Sequence, residues 1–238
     1  NGMAVQRACE TLRTRLADVV ACQCGISDVQ FAGGRIHGAG VDMPFADVVQ
    51  LAYTNRVSLS ATGYYKTPDI AWDRIKGPGR PFYYFAYGCS VSEVAVDTLT
   101  GEYSVLRTDI LHDCGQSLNP ALDVGQIEGG YVQGMGWLTT EEIVWDDRGR
   151  LRTHAPSTYK IPAMSDRPKV LNVALWDAPN PVNTVHRSKA VGEPPFMHGI
   201  STFLALSDAV AQCGPNYPDL QAPATFEQVY HAIQRAKG

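Results

Sequence analysis

Glu193 lies in the stretch Ser188-Lys189-Ala190-Val191-Gly192-Glu193-Pro194-Pro195-Phe196, where its neighbours suit a carboxylate that moves protons. Proline disfavours helical backbone in the residue before it. Glu193 is therefore expected to precede a helix and not to join it. Pro194 can take the first helical position, which puts the carboxylate beside the partly positive helix end. Such a field favours a charged carboxylate while burial opposes it, a balance that suits a general base near neutral pH. A capping or salt-bridged glutamate would show the same local pattern, and both readings stand on it.

A second feature is the run from Asn119 to Thr140, which carries Gly125, Gly129, Gly130, Gly134 and Gly136. Each glycine costs a helix interior about 1 kcal/mol against alanine, so something must offset them. At about 100° per residue, Gly125, Gly129 and Gly136 share one side, and Gln126 and Gln133 share an adjacent face. Bare backbone lets a bulky ligand approach closely, and a carboxamide beside it can donate and accept hydrogen bonds. Close packing of another helix explains the same spacing equally well.

Other chemistries find little support. Cys22-Gln23-Cys24 does not have the spacing of a zinc pair, and no second CxxC or HxxxH accompanies it, so no protein-ligated metal is expected. The six histidines are isolated from one another in sequence, which predicts surface or core roles for each. There is no GxSxG elbow for a serine hydrolase and no GxGxxG or P-loop after a strand.

The elements that would position these residues are legible from periodicity. An amphipathic helix is predicted over Met3 to Ala21, with Val5, Ala8, Leu12, Leu16 and Val19 or Val20 on its apolar stripe. Two short strands flank Gly33-Gly34, and a helix covers Phe45 to Tyr53. Phe82 to Asp113 reads as an antiparallel pair around Asp97-Thr98-Leu99-Thr100-Gly101. A further hairpin is predicted from Ile143-Val144-Trp145 to Leu151-Arg152-Thr153, and a strand over Lys169 to Trp176. Asn119-Pro120 opens the glycine-rich helix, another helix follows Pro194-Pro195 to about Cys213, and the last starts at Thr225, where Gln228 completes a capping box. Strand pairs mixed with helices, without strict alternation, predict an α+β fold with mixed and antiparallel sheets.

With 238 residues, 45% hydrophobic and 18% charged, the chain can bury a sizeable core as one domain or two subdomains. A net charge of −4 supplies no basic field for nucleic acid. No apolar run approaches the roughly 20 residues a membrane span needs, and the start shows no signal sequence, which predicts a cytoplasmic protein with reduced thiols. A helix already under way at the start suggests a piece of a longer polypeptide.

Four stretches carry a family resemblance: SLSATGYYKTP (58–68), PFYYFAYGCSVSEVAVDTLTGEYSVLRTDILHDCGQSLNPALDVGQIEGGYVQGMGWLTTEE (81–142), PSTYKIPA (156–163) and SKAVGEPPF (188–196). They resemble the molybdopterin-binding subunit of bacterial xanthine dehydrogenases, in the xanthine oxidase and aldehyde oxidase family of molybdenum hydroxylases. NGMAVQRAC at the start is similar as well. The resemblance implies the molybdenum-cofactor-binding domain fold, with residues 1–238 as its C-terminal part. It implies Glu193 as the active-site base, Gln126 against the molybdenum–pterin group, and a metal held by the pterin, not by protein ligands.

The implied reaction is hydroxylation of purines, hypoxanthine to xanthine to urate, with oxygen from water. Aldehyde or N-heterocycle hydroxylation is the alternative within the family, and the KAVGEPP form favours purines. A non-catalytic assembly module, with Glu193 as a cap, is the alternative outside it. The resemblance places FAD and 2Fe-2S clusters in other modules, an iron–sulfur/FAD subunit and the remainder of the molybdopterin subunit as partners in a hetero-oligomer, and the substrate-orienting residues upstream. The chain by itself is expected to be inactive.

Overall fold

The computed structural model describes residues 1–238 as two compact units, Asn1–Tyr83 and Tyr84–Gly238. In the first, helix α1 (Gly2–Cys24) ends where Gly25 takes φ 66° and donates its N–H to Ala21 O. Only Leu16, Val19 and Val20 of its apolar stripe are buried, while Val5 is exposed. Strands β1 (Gln30–Ala32), β2 (Arg35–Gly38) and β3 (Val41–Pro44) form an antiparallel sheet. Gly33 and Gly34 make the first turn with φ of 55° and 71°, the pair of positive values a two-residue hairpin with right-handed strand twist requires. Helix α2 (Phe45–Thr54) buries Val48 and Ala52 against Ile36 and the end of α1. β4 (Ala71–Trp72) and β5 (Gly79–Arg80) are a two-residue ladder with no periodic signal in sequence.

The resemblance stretch at 58–68 lies along α1. A Cβ at Gly63 would come 1.8 Å from Ala4 O, so only glycine permits that approach. Arg7 and Arg15 then donate to the carbonyls of Tyr64 and Ser60 at 2.7 and 2.8 Å.

The second unit is built on strands β6 (Gly88–Val96) and β7 (Tyr103–His112), which pair antiparallel, with β8 (Val170–Leu175) parallel to β7. The fold is α+β, with the mixed and antiparallel sheets expected. Helix α3 (Pro120–Thr139) begins where the Asn119 side chain accepts from Leu122 N. Helices α4 (Ile200–Ala211) and α5 (Phe226–Lys237) complete the unit, and Thr225 caps α5 by accepting from Gln228 N at 3.3 Å. Ile127, Tyr131 and Met135 of α3 pack on Val105 and Ile110 of the sheet. The buried Tyr131 hydroxyl bonds Thr108 of β7 and Thr202 of α4, each at 2.8 Å, which pins both helices to the sheet in one register.

Two elements differ from expectation. The predicted hairpin at 143–153 is present only in short form: Trp145 and Leu151 make one antiparallel bridge, with Asp146 N donating to Arg150 O at 3.0 Å and Arg152 N to Val144 O at 2.8 Å. Asp146 Oδ1 also takes the amides of Arg148 and Arg150 in the turn, and Ile143 and Trp145 stay exposed. The single helix predicted after Pro194 starts as a 3-10 helix, Pro194–Gly199, before α4. Neither proline can donate, so the first available amide, Phe196 N, closes a three-residue loop onto Glu193 O at 3.1 Å.

Candidate active site

Glu193 sits at the N-cap of that 3-10 helix, exposed, and its side chain makes no capping bond. It precedes the helix as expected. Its own backbone, however, takes φ −107° and ψ −40°, within the right-handed helical region that the following proline was expected to disfavour. The preference is outweighed because the chain is held on both sides of this residue.

Upstream, two adjacent residues with positive φ, His186 (48°) and Arg187 (60°), turn the chain so that Arg187 O accepts from Gln116 N and Asn180 N. Gly115 has φ 64°, and a Cβ there would lie 2.5 Å from the same carbonyl. Lys189 N then bonds Cys114 O at 2.7 Å, and Ala190 N accepts nothing but donates to the Tyr84 hydroxyl at 2.9 Å. The Lys189 side chain, only 3% exposed, turns inward to Asp113 Oδ2 at 2.5 Å and Phe85 O at 2.9 Å. Downstream, Pro195 and Phe196 seat on α3.

The glycines of α3 divide into two faces with different surroundings. A Cβ at Gly130 would come 2.9 Å from Pro195 Cβ, and one at Gly134 2.0 Å from Phe196 O. Gly199 in turn faces Gly134, where its Cβ would lie 2.3 Å from the Gly134 carbonyl carbon. Here the glycines are explained by packing. Phe196 also lays its ring beside Trp137, centroids 5.3 Å apart. Gly125 and Gly129 have open space where a Cβ would be, and Gln126 between them is exposed. Gly136, grouped with them by helical angle, instead abuts Pro162. Gln126 and Glu193 thus stand on adjoining elements, since Gly130, one turn along from Gln126, touches the segment that starts at Glu193.

These residues fit a large polar group that brings its own metal ligands. Bare backbone at Gly125 and Gly129 admits close approach, the Gln126 carboxamide offers both a donor and an acceptor, and Glu193 has no partner within this chain for its carboxylate. No group of three or more His, Cys, Asp or Glu side chains comes together as a metal site.

Sequence reasoning treated the histidines as isolated and overlooked Lys189 and Asp113. The structure brings His112 and His198 together instead, Nδ1 to Nε2 at 3.0 Å, across β7 and the 3-10 helix. Residues 86 apart in sequence leave no spacing signal for such a contact. Lys189 had a faint one, as the lone charge between Ser188 and Glu193.

Burial, and then the neighbouring His112, hold His198 down to about 4, and burial lowers His112 too. His112 Nε2 has no partner, so a charged ring there would bury an unsatisfied N–H. Above the free histidine value near 6.5 the neutral pair costs nothing on this account. As pH falls from there to about 4, the unfolded chain binds a proton that the native pair excludes, and stability declines. His198 alone accounts for roughly 3 kcal/mol over that window, with no further loss below it. His198→Leu is expected to flatten this decline in denaturant melts between pH 4 and 7. Parallel curves for variant and parent would refute it.

No helix is long and apolar enough to cross a membrane. The molybdopterin cofactor-binding domain family matches residues 1–168. Xanthine dehydrogenase of Dictyostelium discoideum is 42% identical over 96% of this chain, and xanthine dehydrogenase/oxidase of Felis catus 43% identical over 98%. The chain spans about a sixth of the length of these relatives, 16% and 17%. Among solved structures, quinoline 2-oxidoreductase from Pseudomonas putida 86 superposes with a TM-score of 0.71 and 26% identity, covering 95% of this chain and 28% of that one. With open glycines, an exposed carboxamide and an unpartnered carboxylate on adjoining elements of the second unit, and this match over most of its length, the chain belongs to the molybdopterin cofactor-binding domain family of the molybdenum hydroxylases.

Proposed function

We propose that the chain is the C-terminal part of the molybdopterin-binding subunit of a purine hydroxylase, converting hypoxanthine to xanthine and xanthine to urate, with Glu193 as general base. The observation that carries the purine assignment is the 42–43% identity to proteins named xanthine dehydrogenase over nearly the whole chain, against 26% to the quinoline enzyme.

In this reading Gln126 and the bare backbone at Gly125 and Gly129 hold the pterin group. When bound, the molybdenum–pterin group supplies the two-electron redox chemistry. Glu193 takes up, on a carboxylate oxygen, the proton of the water-derived nucleophile as it attacks an electron-poor ring carbon. The 3-10 helix that follows Glu193 opens on Pro194 and Pro195, which carry no N–H, so no amide of its first two positions ties up the carboxylate. FAD and 2Fe-2S clusters reside in partner modules, and the complete enzyme is a cytoplasmic hetero-oligomer.

A second reading, an N-heterocycle or aldehyde hydroxylase, is favoured by the superposition on quinoline 2-oxidoreductase. Comparing kcat/KM of the complete enzyme for xanthine, hypoxanthine, quinoline and benzaldehyde separates the two. A preference for the purines of at least about tenfold is expected, because a site built to hydrogen-bond a polar ring loses more than that on analogues lacking the partner atoms. Preference for quinoline or the aldehyde would overturn the purine assignment.

A further inference from the structure

We propose that the buried Lys189–Asp113 ion pair is a positioning device for Glu193, setting the place of the carboxylate by fixing the backbone that leads to it. This rests on the reading of Glu193 as the base.

Lysine is almost never fully buried unless it is paired, and a buried pair is poor evidence of stability, since apolar residues of similar volume often do as well. The pair must then be explained by what it holds. The Lys189 ammonium meets Asp113 Oδ2, the carbonyl of Phe85, and the ring face of Tyr87 with its centroid 4.9 Å away. Asp113 uses its other oxygen, Oδ1, to take Gly115 N at 2.9 Å. One carboxylate therefore ties the turn after β7 to the segment that enters Glu193. The backbone bonds of Lys189 to Cys114 and of Ala190 to Tyr84 add two further anchors within two residues.

Past these anchors, Val191 packs against the core cluster that includes Ile127 and Tyr131, while Gly192 has open space where a Cβ would be. The Glu193 side chain has no partner within this chain to orient it. Its carboxylate is thus placed by backbone alone, between the Lys189 clamp on one side and the Pro195–Phe196 contact with α3 on the other. A displacement of about 1 Å in a reacting group can cost ~100-fold in rate. Lys189 is too deeply buried to reach substrate itself, so it acts through Glu193.

The test uses the complete molybdenum-loaded enzyme and four forms: parent, Lys189→Met/Asp113→Asn, Glu193→Gln, and all three changes together. Methionine fills the lysine volume, and asparagine retains the acceptor for Gly115 N, so the double variant removes both charges without stranding either one. Lys189→Met alone is a companion that leaves the Asp113 charge in place. Rates are measured per bound molybdenum, in steady state and in single turnover, which stays readable in the slow Glu193→Gln background. The double variant is expected to lower kcat about 10- to 100-fold, with KM within about threefold of the parent. In the Glu193→Gln background the same changes are expected to cost less than about twofold. Unchanged kcat per molybdenum, or a loss that multiplies in full on top of Glu193→Gln, would overturn the positioning role. Glu193→Gln at the parent rate would instead sink the base assignment itself.

Discussion

Turnover of the assembled enzyme on xanthine is expected to fall at least about a hundredfold when Glu193 becomes glutamine, with molybdenum content unchanged. Positioned general bases contribute about 10²–10⁴-fold, and glutamine keeps the size of the side chain while removing its ability to take a proton. The structure makes this substitution clean. The Glu193 side chain forms no bond to the rest of the chain, so its loss leaves no stranded partner and no broken cap. Both clamps on its backbone, at Lys189 and at Pro195–Phe196, remain in place. A drop confined to kcat, with the metal retained, is the signature of a lost transition-state role. If the variant turned over xanthine at the parent rate, Glu193 would be a surface glutamate and the assembly-module reading would gain.

The glycines of α3 are expected to separate into two classes on substitution. Gly134→Ala should destabilise the protein by about 3 kcal/mol or more, at the upper end of overpacking costs. Its new methyl group would fall 2.0 Å from Phe196 O, and the backbone cannot retreat within that contact because Gly199 faces it equally closely. The displaced element is the helix that carries Glu193, so activity should fall with stability. Gly129→Ala meets open space and removes a glycine from a helix interior, a gain of up to about 1 kcal/mol. If the bare backbone there admits the pterin group, that stabilised variant should bind less molybdenum. Thermal unfolding and metal analysis on the two variants give the answer. A mild effect at Gly134 would contradict the packing, and full molybdenum content in Gly129→Ala would remove Gly129 from the cofactor reading.

Much of the secondary structure was legible because its signals are local. Asn119 and Thr225 cap their helices through a side chain three residues from the amide they receive, and Gly33-Gly34 makes its turn by its own conformational freedom. The strand over 170–175 showed its β-branched and apolar pattern, but its parallel pairing with β7 depends on a partner more than fifty residues away. The hairpin at 143–153 turns where its local Asp-Asp-Arg-Gly signal places it, but it extends to only one bridged pair, and Ile143 and Trp145 stay exposed.

The site divides in the same manner. Residue pattern alone offered Glu193 as a base or a cap and Gln126 with Gln133 beside the glycines; the family resemblance is what singled out Glu193 and Gln126. Which glycines pack and which stay open was decided only when the 3-10 helix came to rest on Gly130 and Gly134. The histidine pair and the buried ion pair likewise join residues 86 and 76 positions apart. Burial and long-range pairing depend on the whole chain's packing, so a linear pattern offers candidate side chains while the surrounding fold determines what holds them in place.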